Sequence, residues 1–427
     1  MPSVTTLLNP RPYETCAGRL LLLPLLLPSK PVILPSEVWT HVFQYLASME
    51  GGRTTLWSLV KTSQNFKEIA LPLLYSRVKI HDLETFEKLC KRIHEADAKW
   101  DSIRRIPYSA PARWVQTLDL SEIPYTGRNQ AVLLDGLLTD LFPLLPFLSR
   151  FSMNPSFVMS KRAMTALTER PGVFYLRSLS GISYVPQQRS TPCQEPIVEL
   201  LRNCVNLEEL EIIGQGSDPD TWGFDDLLIT NETSMECSLC LPLNLPRLRI
   251  LTLLSTLHFS HLLSSLLISP LPSLTKLTIT PSDDIPGSLN SRFISTHGIS
   301  LRSLLLLSPK SWPTRLHPSP ADTLITCPHL RHLSLENPIP QLILQKVHPL
   351  EILSITRPNA ETWSLLCRIL PYLPSLKAVR ARDVRWLRKG VGVRAQEAGL
   401  QGEMREWRRR LGRRGIRVLD ADWHDTE

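Results

Sequence analysis

The feature that most constrains the fold of this chain is a spaced apolar pattern, L-x-x-L-x-L, that returns along most of its 427 residues. It runs as Val115-x-x-Leu118-x-Leu120, Leu148-x-x-Phe151-x-Met153, a degraded Leu176-x-x-Leu179, Leu207-x-x-Leu210-x-Ile212, Leu248-x-x-Leu251-x-Leu253, Leu274-x-x-Leu277-x-Ile279, Leu301-x-x-Leu304-x-Leu306, Leu330-x-x-Leu333-x-Leu335, Leu350-x-x-Leu353-x-Ile355 and Leu376-x-x-Val379-x-Ala381. From Leu248 to Leu376 the steps are 26, 27, 29, 20 and 26 residues, and nearer the N-terminus they loosen, to 41 between Leu207 and Leu248. In each unit the last two apolar positions point to one side and the residues between them to the other, as alternation along a strand requires. One such strand cannot bury its inner face alone, so the units are expected to stack into a parallel sheet. The chain has 36 prolines against 18 glycines. Pro146, Pro246, Pro272, Pro328 and Pro374 each stand two residues before a first apolar position, where the preceding helix or loop must stop.

This spacing resembles a divergent leucine-rich repeat. The resemblance implies an α/β fold, an irregular leucine-rich-repeat solenoid with a parallel sheet, over residues 77–384. The outward positions of its strands include Asp119, Glu209, Glu211 and Glu336 against Arg150, Lys276, Arg380 and Arg382, with Ser178, Thr278, His332, Ser334, Ser354 and Thr356 between. Such a nearly neutral face suits a protein or peptide partner better than a polyanion, whose binding depends on phosphate neutralisation. Ile250, Leu254, Leu305 and Leu307 add an apolar anchor. The expected target-binding residues are Glu209, Glu211, Ile250, Leu254, Lys276, Leu305, Leu307 and His332.

Ahead of the repeats, Val38, Val42, Phe43 and Leu46 recur at helical spacing behind Pro35, a residue suited to a helix start. After Gly51 and Gly52, a second apolar series runs Leu56, Leu59, Val60, and a third runs Phe66, Ile69, Ala70, Leu73, Leu74. Three short helices over residues 31–76 are too little chain for a large core, so this unit is expected to hold a partner. The residues Leu34-Pro35-x-Glu37-Val38, Val42-Phe43-x-x-Leu46 and Leu59-Val60-Lys61-x-Ser63-x-x-Phe66-x-x-Ile69-Ala70-x-Pro72-x-x-Tyr75 resemble the F-box, particularly its fungal form. The connection from Ser48 to Thr55 departs from that motif. The resemblance implies docking onto a Skp-family adaptor and, through it, a cullin scaffold of the ubiquitin-transfer machinery. Leu34, Pro35, Val38, Val42, Phe43, Leu46, Leu59 and Val60 fall on its apolar, adaptor-binding positions, and the motif leaves open which face the adaptor and which pack inside.

Other stretches read more simply. Residues 1–30, with the run Leu20 to Leu27, form an irregular leader or a second apolar contact on the three-helix unit. No run reaches the roughly 18 uninterrupted apolar residues of a membrane span. Gly214 to Leu245 is expected to make an excursion with a short helix at Phe224 to Ile229, and Pro281 to Gly298 and Pro309 to Pro320 read as loops. In residues 385–427, Leu400, Met404, Trp407 and Leu411 share a helical face and Ile416-x-Val418 alternates like a strand, a helix-strand cap. The formal charge of +8 concentrates between Arg385 and Arg417, which hold eleven Lys or Arg and three Glu. Nucleic acid is not the expected partner of this segment, since an amphipathic cap helix needs a charged side in any case.

Eight scattered cysteines fit a reducing compartment, cytoplasmic or nuclear, and Cys237-x-x-Cys240 lacks a second pair to complete a zinc site. No H-E-x-x-H, G-x-x-x-x-G-K-[ST] or G-x-S-x-G pattern occurs. Neither cofactor nor catalysis is expected. The residues point to a substrate-recognition subunit of a Skp-cullin-F-box ubiquitin ligase, with a repeat scaffold free of any ligase as the alternative.

Overall fold

A computed structural model of the chain describes residues 34–98, 111–124, 126–184, 195–214, 241–254, 261–280, 289–307, 320–386 and 399–425. The chain divides into two compact units, one ending at Leu74 and one beginning at Tyr75.

The second unit is α/β. Its twelve strands form one parallel sheet in which spatial order follows chain order. They are β1 (Arg77–Lys79), β2 (Thr117–Leu120), β3 (Arg150–Met153), β4 (Ser178–Ile182), β5 (Glu209–Ile213), β6 (Ile250–Leu254), β7 (Lys276–Ile279), β8 (Ser303–Leu306), β9 (His332–Ser334), β10 (Ile352–Ile355), β11 (Ala378–Ala381) and β12 (Arg417–Leu419). Ten of these lie on the spaced leucine pattern, and β1 and β12 extend it at either edge. Val78, Leu118, Phe151, Leu179, Leu210, Leu251, Leu277, Leu304, Leu333, Leu353, Val379 and Val418 are register partners in turn, and all are buried. Each such side chain contributes about 2 kcal/mol on leaving water, and between the edge strands β1 and β12 each has a register partner on both sides.

Parallel neighbours need a crossover, and helices supply most of them. Among the described residues these are α4 (Leu83–Ala98), α5 (Pro111–Trp114), α6 (Arg128–Leu141), α7 (Lys161–Glu169), α8 (Pro196–Asn203), α9 (His261–Ile268), α10 (Leu289–His297), α11 (Thr323–Thr326), α12 (Ala360–Ile369) and α13 (Gly399–Gly412). From α6 to α11 each longer crossover helix packs on the next, so they form a layer on one face of the sheet, and the core lies between the two. Local chemistry sets the helix starts. Ser160 accepts the Ala163 amide with its hydroxyl oxygen at the head of α7 while donating to Asp135 of α6 at 2.6 Å, and Asn359 caps α12 through the Thr362 amide at 2.6 Å. On α13, Met404, Trp407 and Leu411 are buried, and β12 joins the sheet, so residues 399–425 belong to the same unit as the preceding strands.

Two sequence expectations need correction here. Pro281 to Gly298 reads as a loop, yet Leu289 to His297 is helical, because Phe293, Ile294 and His297 fall on one face and bury against the core while Arg292, Ser295 and Thr296 face out. The degraded unit at Leu176 is a complete strand with a bulge. Its register shifts between Leu179 and Ile182, so that Ile182, one residue late, pairs with Ile212. Gly181 makes the shift possible at φ +67°, a conformation open to glycine, and a Cβ there would overlap the Met153 carbonyl oxygen. The amide it frees donates to Glu211 Oε2 at 3.2 Å. The leader, the Phe224 to Ile229 segment, residues 309–319 and Cys237-x-x-Cys240 lie outside the described residues.

One buried acid lies beside this bulged region. Glu195, at the start of α8, accepts the Tyr184 hydroxyl at 2.6 Å, and its own burial raises its pKa against the opposing pull of that hydroxyl and of His261 and the amides opening α9.

Gly181→Ala is expected to destabilise the chain by at least about 2 kcal/mol in urea unfolding. For Glu195, the folded state holds the proton to higher pH than the unfolded chain, so stability falls as pH rises from the unfolded value near 4.5 through the raised folded one and is level above it. Glu195→Gln, which keeps an acceptor for Tyr184, should flatten that difference across the window in thermal melts taken from acid to neutral pH.

Candidate interaction surfaces

The N-terminal unit holds the first surface. It consists of α1 (Ser36–Ser48), α2 (Gly52–Val60) and α3 (Gln64–Ser76), the last running on into the second unit. Among the described residues its core is four buried side chains, Phe43, Leu56, Ala70 and Leu74, with Trp39, Leu46, Leu59, Val60, Phe66, Ile69 and Leu73 partly buried around them. The Phe43 ring meets Phe66 edge-on at 5.2 Å, and Trp39 lies 4.8 Å from Phe66. Gly52 lets α2 start against the end of α1, since a Cβ there would overlap the Leu46 carbonyl oxygen.

The other face of α1 is left apolar and open. Leu34 is 36% exposed, Val38 40%, Val42 45%, Tyr45 71% and Met49 52%, and Trp57 of α2 is 48% exposed. Positions 38, 42, 45 and 49 follow the i, i+4, i+7, i+11 rule, so they share one stripe. Contiguous exposed apolar surface of this kind marks an interaction site. Of the expected adaptor-binding residues, Val38 and Val42 lie on the stripe, and Leu34 and Pro35 are exposed ahead of it, the Pro35 carbonyl oxygen accepting the Val38 and Trp39 amides. Phe43 is corrected: it is 1% exposed and holds the core, because it falls about a quarter-turn away from the stripe. Leu46, Leu59 and Val60 are half-buried against that core. Tyr45, Met49 and Trp57 were missed, although the helical spacing from Val38 through Val42 already leads to Tyr45 and Met49.

The second surface is the face of the sheet opposite the helix layer. The registers place Glu209, Ile250, Lys276, Ser303 and His332 side by side from β5 to β9, and Glu211, Thr252, Thr278, Leu305 and Ser334 side by side in the next row. With Leu254 at the end of β6 and Leu307 just past β8, all eight expected target-binding residues fall on one face of five adjacent strands. Ile250, Leu254, Leu305 and Leu307 are half-exposed there. Glu209 also accepts the Ser178 hydroxyl at 3.0 Å, whereas Lys276 makes no ion pair among the described residues.

The face is less open toward the C-terminus than the strand pattern suggests. Ser334, Ser354 and Thr356 are buried. Two bridges cross above β10. Arg382, past β11, pairs with Glu336, past β9, at 2.9 Å, and Trp423 lies with its ring under the Arg380 guanidinium at 4.2 Å and edge-on to His332 at 5.9 Å. Arg380 also donates to the carbonyl oxygens of Asp420 and Ala421. Trp423 adopts φ +66°, the one non-glycine residue among those described with a positive φ. His332 is therefore an internal residue more than an open contact. Its Nε2 lies 2.9 Å from the Ser354 hydroxyl, and burial, with Arg380, Lys276 and Arg382 nearby, pushes its pKa down to about 4, so it is neutral at pH 7.

The remaining polar clusters are structural. Asp420, Asp422 and His424 lie close together. The Asp420 carboxylate, however, accepts the amides of Trp386, Asp422 and His424, and Asp422 pairs with Arg385 at 2.9 Å, which accounts for the group as a turn. Cys90 and Cys204 are buried with thiols pushed up to about 12, and Cys327 to about 11, so none is a reactive thiolate. No helix among the described residues is long and apolar enough to cross a membrane.

The division of α1 into a buried and an open face has a direct consequence. Phe43→Ala should cost the N-terminal unit about 3 kcal/mol, while Val42→Ser should change stability by no more than about 0.5 kcal/mol, both read by chemical unfolding. Set against known proteins, the chain matches no protein-family model and no curated protein.

Proposed function

We propose that this chain is a non-catalytic recognition subunit of the Skp-cullin-F-box type, its N-terminal unit an F-box-like head and its sheet a divergent leucine-rich-repeat solenoid. The observation that carries the reading is the open apolar stripe of Val38, Val42, Tyr45 and Met49, with exposed Leu34 ahead of it, on a unit whose core among the described residues is four side chains. A unit so small gains stability by covering such a stripe with a partner, and the residues forming it include the start of the motif that resembles the F-box. A parallel sheet with strands in chain order supports the repeat reading, since nearest-neighbour stacking is what defines that architecture.

On this reading the chemistry of ubiquitin transfer belongs to the partners. The adaptor docks on α1 and α2, and a protein target docks on the helix-free face between β5 and β8, where Ile250, Leu254, Leu305 and Leu307 provide apolar anchors between Glu209 and Lys276. The chain's contribution is proximity, because tethering converts a bimolecular encounter into one at high effective concentration.

The full chain should co-purify with a recombinant Skp-family adaptor, and Val38→Asp or Val42→Asp should abolish capture without altering the circular dichroism spectrum. Capture that survives both substitutions, or that never occurs with the folded chain, would overturn the ligase reading in favour of an interaction scaffold.

A further inference from the structure

The rim at which the strands begin carries a different surface. The residue after each first leucine sends its carbonyl oxygen to two amides of the next strand: Arg249 accepts from Thr275 and Lys276 at 3.0 Å each, and Arg302 accepts from Arg331 and His332 at 2.8 and 3.0 Å. This repeated geometry aligns the residues of that position in a row with one member per strand, about 4.8 Å apart. From β6 to β9 the row is Arg249, Thr275, Arg302 and Arg331, three cations and no acid, with Glu208 next in line before Arg249 and Glu351 next after Arg331. Arg331 shares Glu351 with Lys377, at 3.6 and 2.6 Å. Arg249 and Arg302 are exposed and make no ion pair among the described residues.

Like charges on neighbouring strands are destabilising. Arg302 and Arg331 are such neighbours, and of the two flanking acids Glu208 lies 3.9 Å from Arg177 while Glu351 is shared by Arg331 and Lys377, so neither pairs with Arg249 or Arg302. Arg413 and Arg414, exposed in the turn that leads into β12, add to the same rim, since the Arg417 amide donates to the Lys377 carbonyl oxygen at 2.9 Å. Apolar groups accompany the cations. Three residues before Arg302 and Glu208, respectively, Ile299 and Val205 are 67% and 38% exposed.

We infer that this strand-entry rim is a docking surface for an acidic protein segment with interspersed aliphatic side chains, its carboxylates over Arg249 and Arg302 and its apolar groups against Ile299. On β6 to β9 the exposed apolar side chain of this position is aliphatic Ile299, whereas the exposed aromatics Phe174 and Tyr175 precede Arg177, two strands beyond Arg249. An aliphatic group offers bases no stacking platform, which favours a peptide over single-stranded nucleic acid at Arg249 and Arg302. The surface is distinct from both the α1 stripe and the helix-free face, and it does not depend on the ligase reading.

The test uses the full chain and three fluorescent probes: a synthetic Glu/Leu peptide, its counterpart with Ser at every Leu, and a single-stranded oligonucleotide of equal charge. The Glu/Leu peptide should bind tightest and weaken with added salt. Charge reversal at Arg249→Glu with Arg302→Glu, and separately Ile299→Ser, should each weaken it by about tenfold at unchanged melting temperature. If reversal disturbs folding, Arg249→Gln with Arg302→Gln reads the same contact. Equal binding of the Ser counterpart, tighter binding of the oligonucleotide, or unaltered affinity in the folded variants would overturn the proposal.

Discussion

Everything in the second unit depends on the burial of one side of each strand against the crossover helices while its edges are paired with neighbouring strands, on both sides for all but β1 and β12. A four-residue parallel strand such as β2 or β8 satisfies its backbone only through its neighbours, and its two inward leucines are dry only when the adjacent units are in place. Stability is therefore shared along the row from Val78 to Val418. This explains why units as poor in inward leucine as Leu376-x-x-Val379-x-Ala381 are tolerated: Ala381 closes against Ile355 of a strand already held by its other neighbour.

The same constraint separates the surfaces. Inward positions are committed to the core, which leaves the outward strand positions, the strand-entry rim and the solvent side of the helices for partners. On the outward face the chain itself takes the C-terminal end, where the Arg382 to Glu336 pair and the Trp423 ring roof β10. The middle, from Glu209 to Leu307, stays half-exposed. In the N-terminal unit the scale is smaller and the outcome differs. Among the described residues the three short helices enclose four buried side chains, and one apolar stripe of α1 stays outside.

Much of this was legible before the structure. The period of the leucines places ten strands, and the helical spacing behind Pro35 and after Gly51 places α1 to α3. The helix Leu289–His297 was hidden because its serines, asparagine and histidine resemble loop composition, while its burial rests on Phe293, Ile294 and His297, with Leu289 half-buried against the core. The bulge at Gly181 was visible as a missing third apolar residue, but its cause, a left-handed glycine whose amide meets Glu211, required the neighbouring strand. The arginine row of the rim was present in the same repeat that located the strands. It occupies the position after the first leucine, outside the alternation that marks the outward face.

The sequence by itself determined the α/β class, the parallel stacking and the inward set of side chains, because those follow from periodicity, which is a local property of the chain. Only the tertiary structure decided which face of α1 stays open and where the outward face of the sheet is roofed. It also decided that cations from separate repeats stand side by side. Phe43 and Val42 are adjacent in sequence and alike in hydropathy, and Arg249 and Arg302 are far apart along the chain. What distinguishes the first pair and joins the second is the position of other elements, the Phe66 ring of α3 and the shared register of the strands, and no local pattern encodes that.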